Sequence, residues 1–382
     1  MKRLLFVIPE YSHGGTNKSL ENLLSLIDKT KYQISVYCLY EDGGEYYKKV
    51  FAPYILKKSR LYYWMHDNVW TRKVMGLYNK LTKKDNFTWL YKREVRFLQQ
   101  KYDFDTVVAY QEGTATAFVS YFTNIKKIAW IHCDYGAWSR GKRQKLDEVC
   151  YSNINHIVCV SESAKKSFVE LYPEYESKTS TIYNVVRVND NADLNLNDNS
   201  LTSSPEGDGS QNKNDFVIVS VGRLNPVKQF EKIPAMVNEV VKHVHRPLRW
   251  YIIGSGVSET AIREEIVKYG LQNVVVLLGA KDNPYSYMKQ ADLVVCTSSS
   301  ESFSYVLAEA KVLHTPVLSN DFPVAYEVVD DSTGWIANIR EMPQVLAHII
   351  DNVDGEYDRK KASVMKYEYS NQEILRRIDE LL

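Results

Sequence analysis

The residues best equipped for chemistry fall in three short stretches of the second half of the chain. Gly222-Arg223-Leu224-Asn225-Pro226-Val227-Lys228 follows the apolar run 216–221. A glycine at a strand end lets a ligand come close to the backbone. Arg223, a planar fork, and Lys228, a point charge, could share a diphosphate, or both could be surface charges. Gly254-Ser255-Gly256 follows the run 248–253 and opens a helix. Glycines before a helix N-terminus suit an anionic or polar ligand. The full dinucleotide pattern GxGxxG is absent, since position 259 is Glu, and a tight strand-to-helix turn also accounts for the two glycines. The third stretch, 297–310, is serine-rich and carries Glu301 and Glu309, two helical turns apart. Two carboxylates there could accept hydrogen bonds from the vicinal hydroxyls of a sugar or ribose. Glu162/Glu170 and Glu231/Glu239 share the spacing, but only Glu301/Glu309 follows a strand and a serine-rich turn. Together the three stretches suit a nucleotide diphosphate attached to a sugar.

The first half offers fewer groups. Ser12-His13-Gly14-Gly15-Thr16 leads into a helix with Lys18. Such a turn favours a phosphate or an acceptor hydroxyl close to backbone; it also reads as a plain turn capped by Thr16 or Asn17. The run 127–131 ends in His132-Cys133-Asp134-Tyr135, which puts His132 at the end of a strand. The run 106–110 ends in Gln111-Glu112-Gly113-Thr114. Glu112 is a candidate for acceptor contact or an acidic residue complementing a helix N-terminus.

These groups need elements to position them. Apolar runs of strand length (4–8, 34–39, 106–110, 127–131, 156–160) alternate with amphipathic helical segments, 17–27 being the first. The pattern predicts parallel βαβ units with helices on both faces of the sheet. It breaks at 187–214, where Asn, Asp, Ser and Gly dominate, so this stretch reads as a flexible linker. It restarts with strands over 216–221, 248–253, 273–278, 293–296 and 316–318 and helices over 229–242 and 259–269. The expected organisation is a domain over 1–186, the linker and a domain over 215–369, both doubly wound α/β, with ligands at the carboxyl ends of the strands.

Composition narrows the class. At 382 residues two domains are expected. A net charge of +1 excludes a generally basic nucleic-acid coat. No run is long enough for a membrane-spanning helix, and the apolar start reads as a first strand rather than a signal peptide. The five cysteines show no metal spacing and read as free thiols in a reducing compartment. The charge is unevenly spread. Residues 48–101 hold 14 Lys or Arg against three acids, a net of +11, together with 11 aromatics. That mixture suits an anionic membrane surface, a solvated helical face or single-stranded nucleic acid.

Gly222-Arg223-Leu224 with Lys228, then Gly254-Ser255-Gly256, then Glu301 to Glu309, resembles the donor half of glycosyltransferase family 4, a retaining family of GT-B fold. The resemblance implies two Rossmann-like domains facing a deep cleft, a nucleotide-sugar donor, and no cofactor or essential metal. It implies that Arg223 and Lys228 hold the diphosphate and stabilise the leaving group, and that Glu309 binds the ribose. Glu301 would lie by the donor sugar, with backbone amides of Ser302, Phe303 and Ser304 lining sugar and phosphates. Gly14, Gly15, Gly222, Gly254 and Gly256 would approach the donor, His132 would contact its sugar, and Thr16, Lys18 and Glu112 would face the acceptor. The family often has Gly where this chain has Ser302 and Ser304. Asn184 resembles the crossover asparagine, and 370–382 the segment that returns to the first domain. Domain closure would align the acceptor, which attacks from the leaving-group face while the departing phosphate takes its proton. The expected activity is transfer of a sugar from a UDP-sugar to a glycan or lipid-linked glycan in capsule, exopolysaccharide or lipopolysaccharide assembly. Its setting would be cytoplasmic, with 48–101 on the inner membrane face and no nucleic-acid partner. A nucleotide-sugar epimerase, a phosphorylase and a non-catalytic binding subunit are the alternatives.

Overall fold

A computed structural model describes residues 1–188 and 215–382, apart from 13, 42, 68, 69, 72, 75, 76 and 78–85. Positions 189–214 of the expected linker, His13 and part of the 48–101 stretch therefore lie outside the described residues. The chain forms two compact units, Met1–Val185 with Asn371–Leu382, and Val186–Ser370.

In the first unit β1 (Lys2–Ile8), β2 (Tyr32–Cys38), β3 (Thr106–Ala109), β4 (Lys126–Ile131), β5 (His156–Cys159) and β6 (Thr179–Thr181) form one parallel sheet in the order β2-β1-β3-β4-β5-β6. Leu4, Leu5, Phe6, Val7 and Ile8 are all fully buried. Successive side chains of a strand point to opposite faces, so both faces of this sheet are covered. The helix Asn371–Leu381 belongs to this unit. It buries Ile374 and Ile378, one turn apart, and Thr106 Oγ1 donates to the Leu382 carbonyl at 3.1 Å.

In the second unit β7 (Phe216–Val221), β8 (Leu248–Ile253), β9 (Val275–Gly279), β10 (Leu293–Cys296), β11 (Val317–Asn320) and β12 (Gly334–Ala337) pair in parallel in the order β12-β11-β10-β7-β8-β9. β7 feeds two cores: Phe216 and Ile218 pack into one, Val217 and Val219 into the other. The strand order reverses between β1 and β3 in the first sheet and between β7 and β10 in the second. Open α/β sheets bind ligands at the carboxyl ends of the strands at such points.

β6 and β12 were not expected: they are three and four residues long and are edge strands. The helix expected over 229–242 is shorter, Ile233–Val240. Gln229 adopts φ 54°, which no α-helix accommodates, and splits the lead-in into 3₁₀ turns Pro226–Lys228 and Phe230–Lys232.

The helix Asn86–Lys101 buries Leu90, Tyr91, Val95 and Leu98 and exposes Trp89, Lys92, Arg93 and Arg96. Its Glu94 is buried and accepts from Tyr37 Oη at 2.8 Å, from the Ser59 amide at 2.9 Å and from the Ser59 hydroxyl. Ser59 in turn caps the short helix Arg60–Tyr62, so one buried carboxylate ties the start of the exposed aromatic segment to the unit. No helix among the described residues is long and apolar enough to cross a membrane.

Candidate active site

At the carboxyl ends of β7 and β10 the two loops are stitched together. Thr297 Oγ1 donates to the Lys228 carbonyl at 2.6 Å, and the Ser299 amide to the Val227 carbonyl at 2.8 Å. Asn225 caps the Pro226–Lys228 turn by accepting from the Lys228 amide at 3.2 Å. With the backbones fixed, the Lys228 ammonium forms an ion pair with Glu301 Oε1, and Ser298 Oγ donates to the same oxygen at 2.7 Å. Both charged side chains are partly accessible, 19% for Lys228 and 17% for Glu301. Burial works against the Lys228 charge, but the Glu301 carboxylate outweighs it and holds the lysine pKa above its ordinary value. Ser298 is itself fixed, its carbonyl accepting from Asn320 Nδ2 at 2.8 Å. Arg223 is exposed in the same loop as Lys228.

The glycines of the three stretches have separate reasons. Gly254 (φ 148°) and Gly256 (φ 155°) occupy backbone regions that side chains rarely adopt. A Cβ on Gly254 would sit 1.8 Å from the Gly222 carbonyl oxygen, and one on Gly256 2.3 Å from the Leu224 carbonyl oxygen. Leu224 N–H donates to Ser255 O at 2.9 Å, so the loops after β7 and β8 meet backbone to backbone. A Cβ on Gly222 would meet the Lys228 side chain at 3.4 Å.

Ser302, Phe303 and Ser304 lead into the helix Tyr305–Val312. Ser304 is buried, left-handed (φ 61°), and its hydroxyl has no hydrogen-bond partner among the described residues. Phe303 packs edge-on against Tyr305. Glu309 is 3% exposed and accepts from Tyr285 Oη at 3.0 Å. Tyr285 and Asn320 carried no sequence signal, because their partners Glu309 and Ser298 lie 24 and 22 positions away in the chain; Ser298 lay within the serine-rich stretch.

In the first unit Gly14 is the N-cap of the helix Gly15–Leu26, with extended backbone and no side-chain cap. The plain reading of Thr16 or Asn17 as cap is thereby corrected: Asn17 Nδ2 instead reaches back to the Glu10 and Ser12 carbonyls at 2.9 and 2.8 Å. Gly14 and Gly15 are exposed, Thr16 and Lys18 half-buried. Further along this helix, Ser19 Oγ bonds Tyr110 Oη at 2.8 Å and Asn184 Oδ1 at 2.6 Å. The Tyr110 ring lies 4.9 Å from the His132 imidazole. His132, Tyr110, Ser19 and Asn184 thus form a connected chain of contacts. The His132 amide donates to Glu112 Oε2 at 2.8 Å. Burial pushes the Glu112 carboxyl up from its ordinary value, against the hydrogen bonds from His132 N–H and the Cys133 thiol. His132 is half-buried as a residue, but its Nε2 is fully buried without a hydrogen-bond partner among the described residues. Desolvation lowers its pKa to about 3, so the imidazole is neutral.

Among the described residues no group of three His, Cys, Asp or Glu is placed to hold a metal ion, and all five cysteines are free.

Comparison with known proteins agrees with the fold. Residues 13–190 match the family described as Glycosyltransferase Family 4, and residues 206–369 the family described as Glycosyl transferases group 1. The chain belongs to the family 4 type of glycosyltransferase, with the GT-B fold. It is 27% identical to an uncharacterized glycosyltransferase of Methanocaldococcus jannaschii over 52% of this chain and 48% of the relative. It is 32% identical to the N-acetylgalactosamine-N,N'-diacetylbacillosaminyl-diphospho-undecaprenol 4-alpha-N-acetylgalactosaminyltransferase of Campylobacter jejuni over 28% of each. The matches thus span half or less of these curated relatives. The crystal structure of Anabaena HepE in complex with UDP and glucose has a TM-score of 0.73 at 16% identity, covering 100% of this chain and 99% of that one. At that identity the likeness establishes the fold.

Proposed function

We propose that the chain transfers a sugar from a nucleotide diphosphate sugar, a UDP-sugar first of all, to a glycan or lipid-linked glycan in surface polysaccharide assembly, with retention at the anomeric carbon. The observation that carries this reading is the placement of Arg223 and Lys228 in one loop at the β7/β10 switch point, opposite Glu301. Two cations on a fixed loop suit the diphosphate, whose charge grows as the sugar leaves. Groups aimed at developing charge commonly supply about 3 kcal/mol each to the transition state. No metal is needed for that neutralisation in this reading.

Glu309 would take the ribose hydroxyls, Glu301 the donor sugar, and the amides after Ser302 the phosphates. Gly14, Gly15, Thr16 and Lys18 lie at an uncapped helix N-terminus, which suits a phosphate or an acceptor hydroxyl. Neutral His132 would meet the sugar as a hydrogen-bonding partner rather than a charge. Glu112 is committed to the His132 and Cys133 turn, so its role in this reading is to position His132. The UDP and glucose in the Anabaena neighbour support the donor class, and the undecaprenol-linked substrate named for the Campylobacter relative supports a lipid-linked acceptor. Retention rests on the family 4 resemblance. An acceptor of that kind fits a peripheral membrane position, with exposed Trp64, Trp70 and Trp89 and the exposed Lys92, Arg93 and Arg96 of the same stretch facing the lipid.

The test is nucleotide release from a panel of UDP-sugars with and without glycan acceptor. Release only with acceptor supports transfer; interconversion of the sugar without acceptor makes the protein an epimerase. Arg223→Ala is expected to lower turnover about 100-fold, and EDTA to leave it unchanged. Full activity of Arg223→Ala and Glu309→Ala would remove the site assignment.

A further inference from the structure

We infer that the Lys228–Glu301 ion pair is a latch opened by the donor's diphosphate: the phosphoryl oxygens take over the Lys228 ammonium, and only then is Glu301 Oε1 released to accept from a sugar hydroxyl. The inference rests on the donor-site reading above and deepens it by setting the order of recognition.

The geometry separates what is fixed from what can move. Both backbones are held: the Lys228 carbonyl by Thr297, the Lys228 amide by Asn225, the Val227 carbonyl by Ser299. Gln229, left-handed immediately after Lys228, ends the turn there. What remains mobile is the four-carbon stem of the lysine and its three rotatable donors. The ammonium can therefore pass from one anion to another without rearrangement of either loop.

Charge decides when it does so. Lys228 Nζ and Ser298 Oγ both donate to Glu301 Oε1, so that oxygen is committed in the ligand-free protein. A neutral sugar cannot draw Glu301 away, because the separated ammonium would be left partly buried without its counter-ion, which is costly. A diphosphate can, because it supplies a replacement anion carrying more charge than one carboxylate. Arg223 pushes in the same direction, since its guanidinium disfavours a second cation at Lys228 unless more negative charge arrives. Glu301 thus competes with the nucleotide for Lys228, at the cost of diphosphate affinity, and Oε1, the oxygen held by Lys228, becomes available to the sugar only when a diphosphate is present.

The experiment is a double-mutant cycle read by calorimetric titration of UDP into the full chain: wild type, Glu301→Gln, Lys228→Met and the double variant. Glu301→Gln is expected to bind UDP about fivefold more tightly, the scale of a partly exposed ion pair, although it loses transfer activity. Lys228→Met is expected to bind UDP more weakly, and adding Glu301→Gln to it to change nothing further. If the Met variant melts broadly, Lys228→Gln takes its place in the cycle. A Glu301→Gln variant with unchanged or weaker UDP affinity overturns the latch. So does equal tightening with and without Lys228, which would show general repulsion between Glu301 and the nucleotide. Both outcomes leave the donor reading standing, because wild type binds UDP in them. Absence of UDP binding to wild type overturns the donor reading and the latch together.

Discussion

Ser304 carries two costs at one position. Its backbone is left-handed, which disfavours any residue with a Cβ, and its hydroxyl is buried without a partner. Glycine would remove both, against a modest loss from the greater freedom of the unfolded chain. Ser304→Gly is expected to stabilise the second unit by about 1–2 kcal/mol in urea unfolding. Ser304→Ala, which keeps the Cβ, is expected to recover only the hydroxyl's share. The position stood out in the sequence as a departure from the family pattern; its φ and its empty hydroxyl did not, since both depend on how the turn is enclosed. His132 gives a residue-scale pH test. An ordinary histidine titrates near 6.5, and burial lowers this one to about 3. Between those values the unfolded chain binds the proton and the folded one does not. The stabilisation is therefore complete above pH 6.5 and lost as pH falls, by up to about 1.4 kcal/mol per pH unit. Glu112, raised by burial, contributes with the opposite sign, so the comparison must be with a variant. The stability difference between wild type and His132→Asn is expected to shrink between pH 7 and pH 5; a constant difference would contradict the buried neutral imidazole.

At the scale of elements, the glycine pair after β8 shows how a loop can be specified by its neighbour. Gly254→Ala would place a methyl group 1.8 Å from the Gly222 oxygen, so one of the two loops must move. Gly270 also has a positive φ (66°), but nothing lies within 4 Å of its Cβ position. Gly254→Ala is expected to cost about 3 kcal/mol or more and to weaken nucleotide binding, while Gly270→Ala costs about 1 kcal/mol and leaves binding intact. Thermal melts with and without UDP check both. In the sequence Gly254-Ser255-Gly256 was ambiguous between a ligand turn and a tight turn, because the Gly222 backbone that fills the space is 32 positions earlier. Long central strands such as β1, β7 and β8 were legible, since burial on both faces demands continuous apolar runs. β6 and β12 were not, because three or four residues hold too few positions for a pattern. Helix starts were harder still: Asn17 looks like a cap, yet its amide serves two carbonyls outside the helix.

For the whole molecule the telling quantity is where charge sits. A net of +1 conceals +11 in residues 48–101 and therefore −10 in the remainder. Within that stretch the basic residues Lys73, Lys92, Arg93 and Arg96 are exposed, as are Tyr63, Trp64, Trp70, Val74, Leu77 and Trp89. Large apolar side chains at that exposure are poorly placed in water but well placed at the headgroup level of a bilayer. Arg93 also lies 5.8 Å from the Trp89 ring centroid, pairing one cation with one aromatic on the exposed helix face. Each basic residue near an anionic surface contributes about 1 kcal/mol, and the attraction decays within about 8 Å at physiological salt. Binding should therefore need both lipid charge and aromatic insertion. Wild type is expected to float with vesicles containing anionic lipid and far less with neutral ones. Changing Lys92, Arg93 and Arg96 to Glu should bring the anionic recovery down to the neutral level, while Trp70→Ser with Trp89→Ser should lower it in both. Because none of these exposed residues belongs to the candidate donor or acceptor groups, soluble-acceptor turnover should survive all five changes. Equal recovery of wild type on both vesicles would remove the membrane reading, and tight binding of a single-stranded oligonucleotide by the same face would replace it.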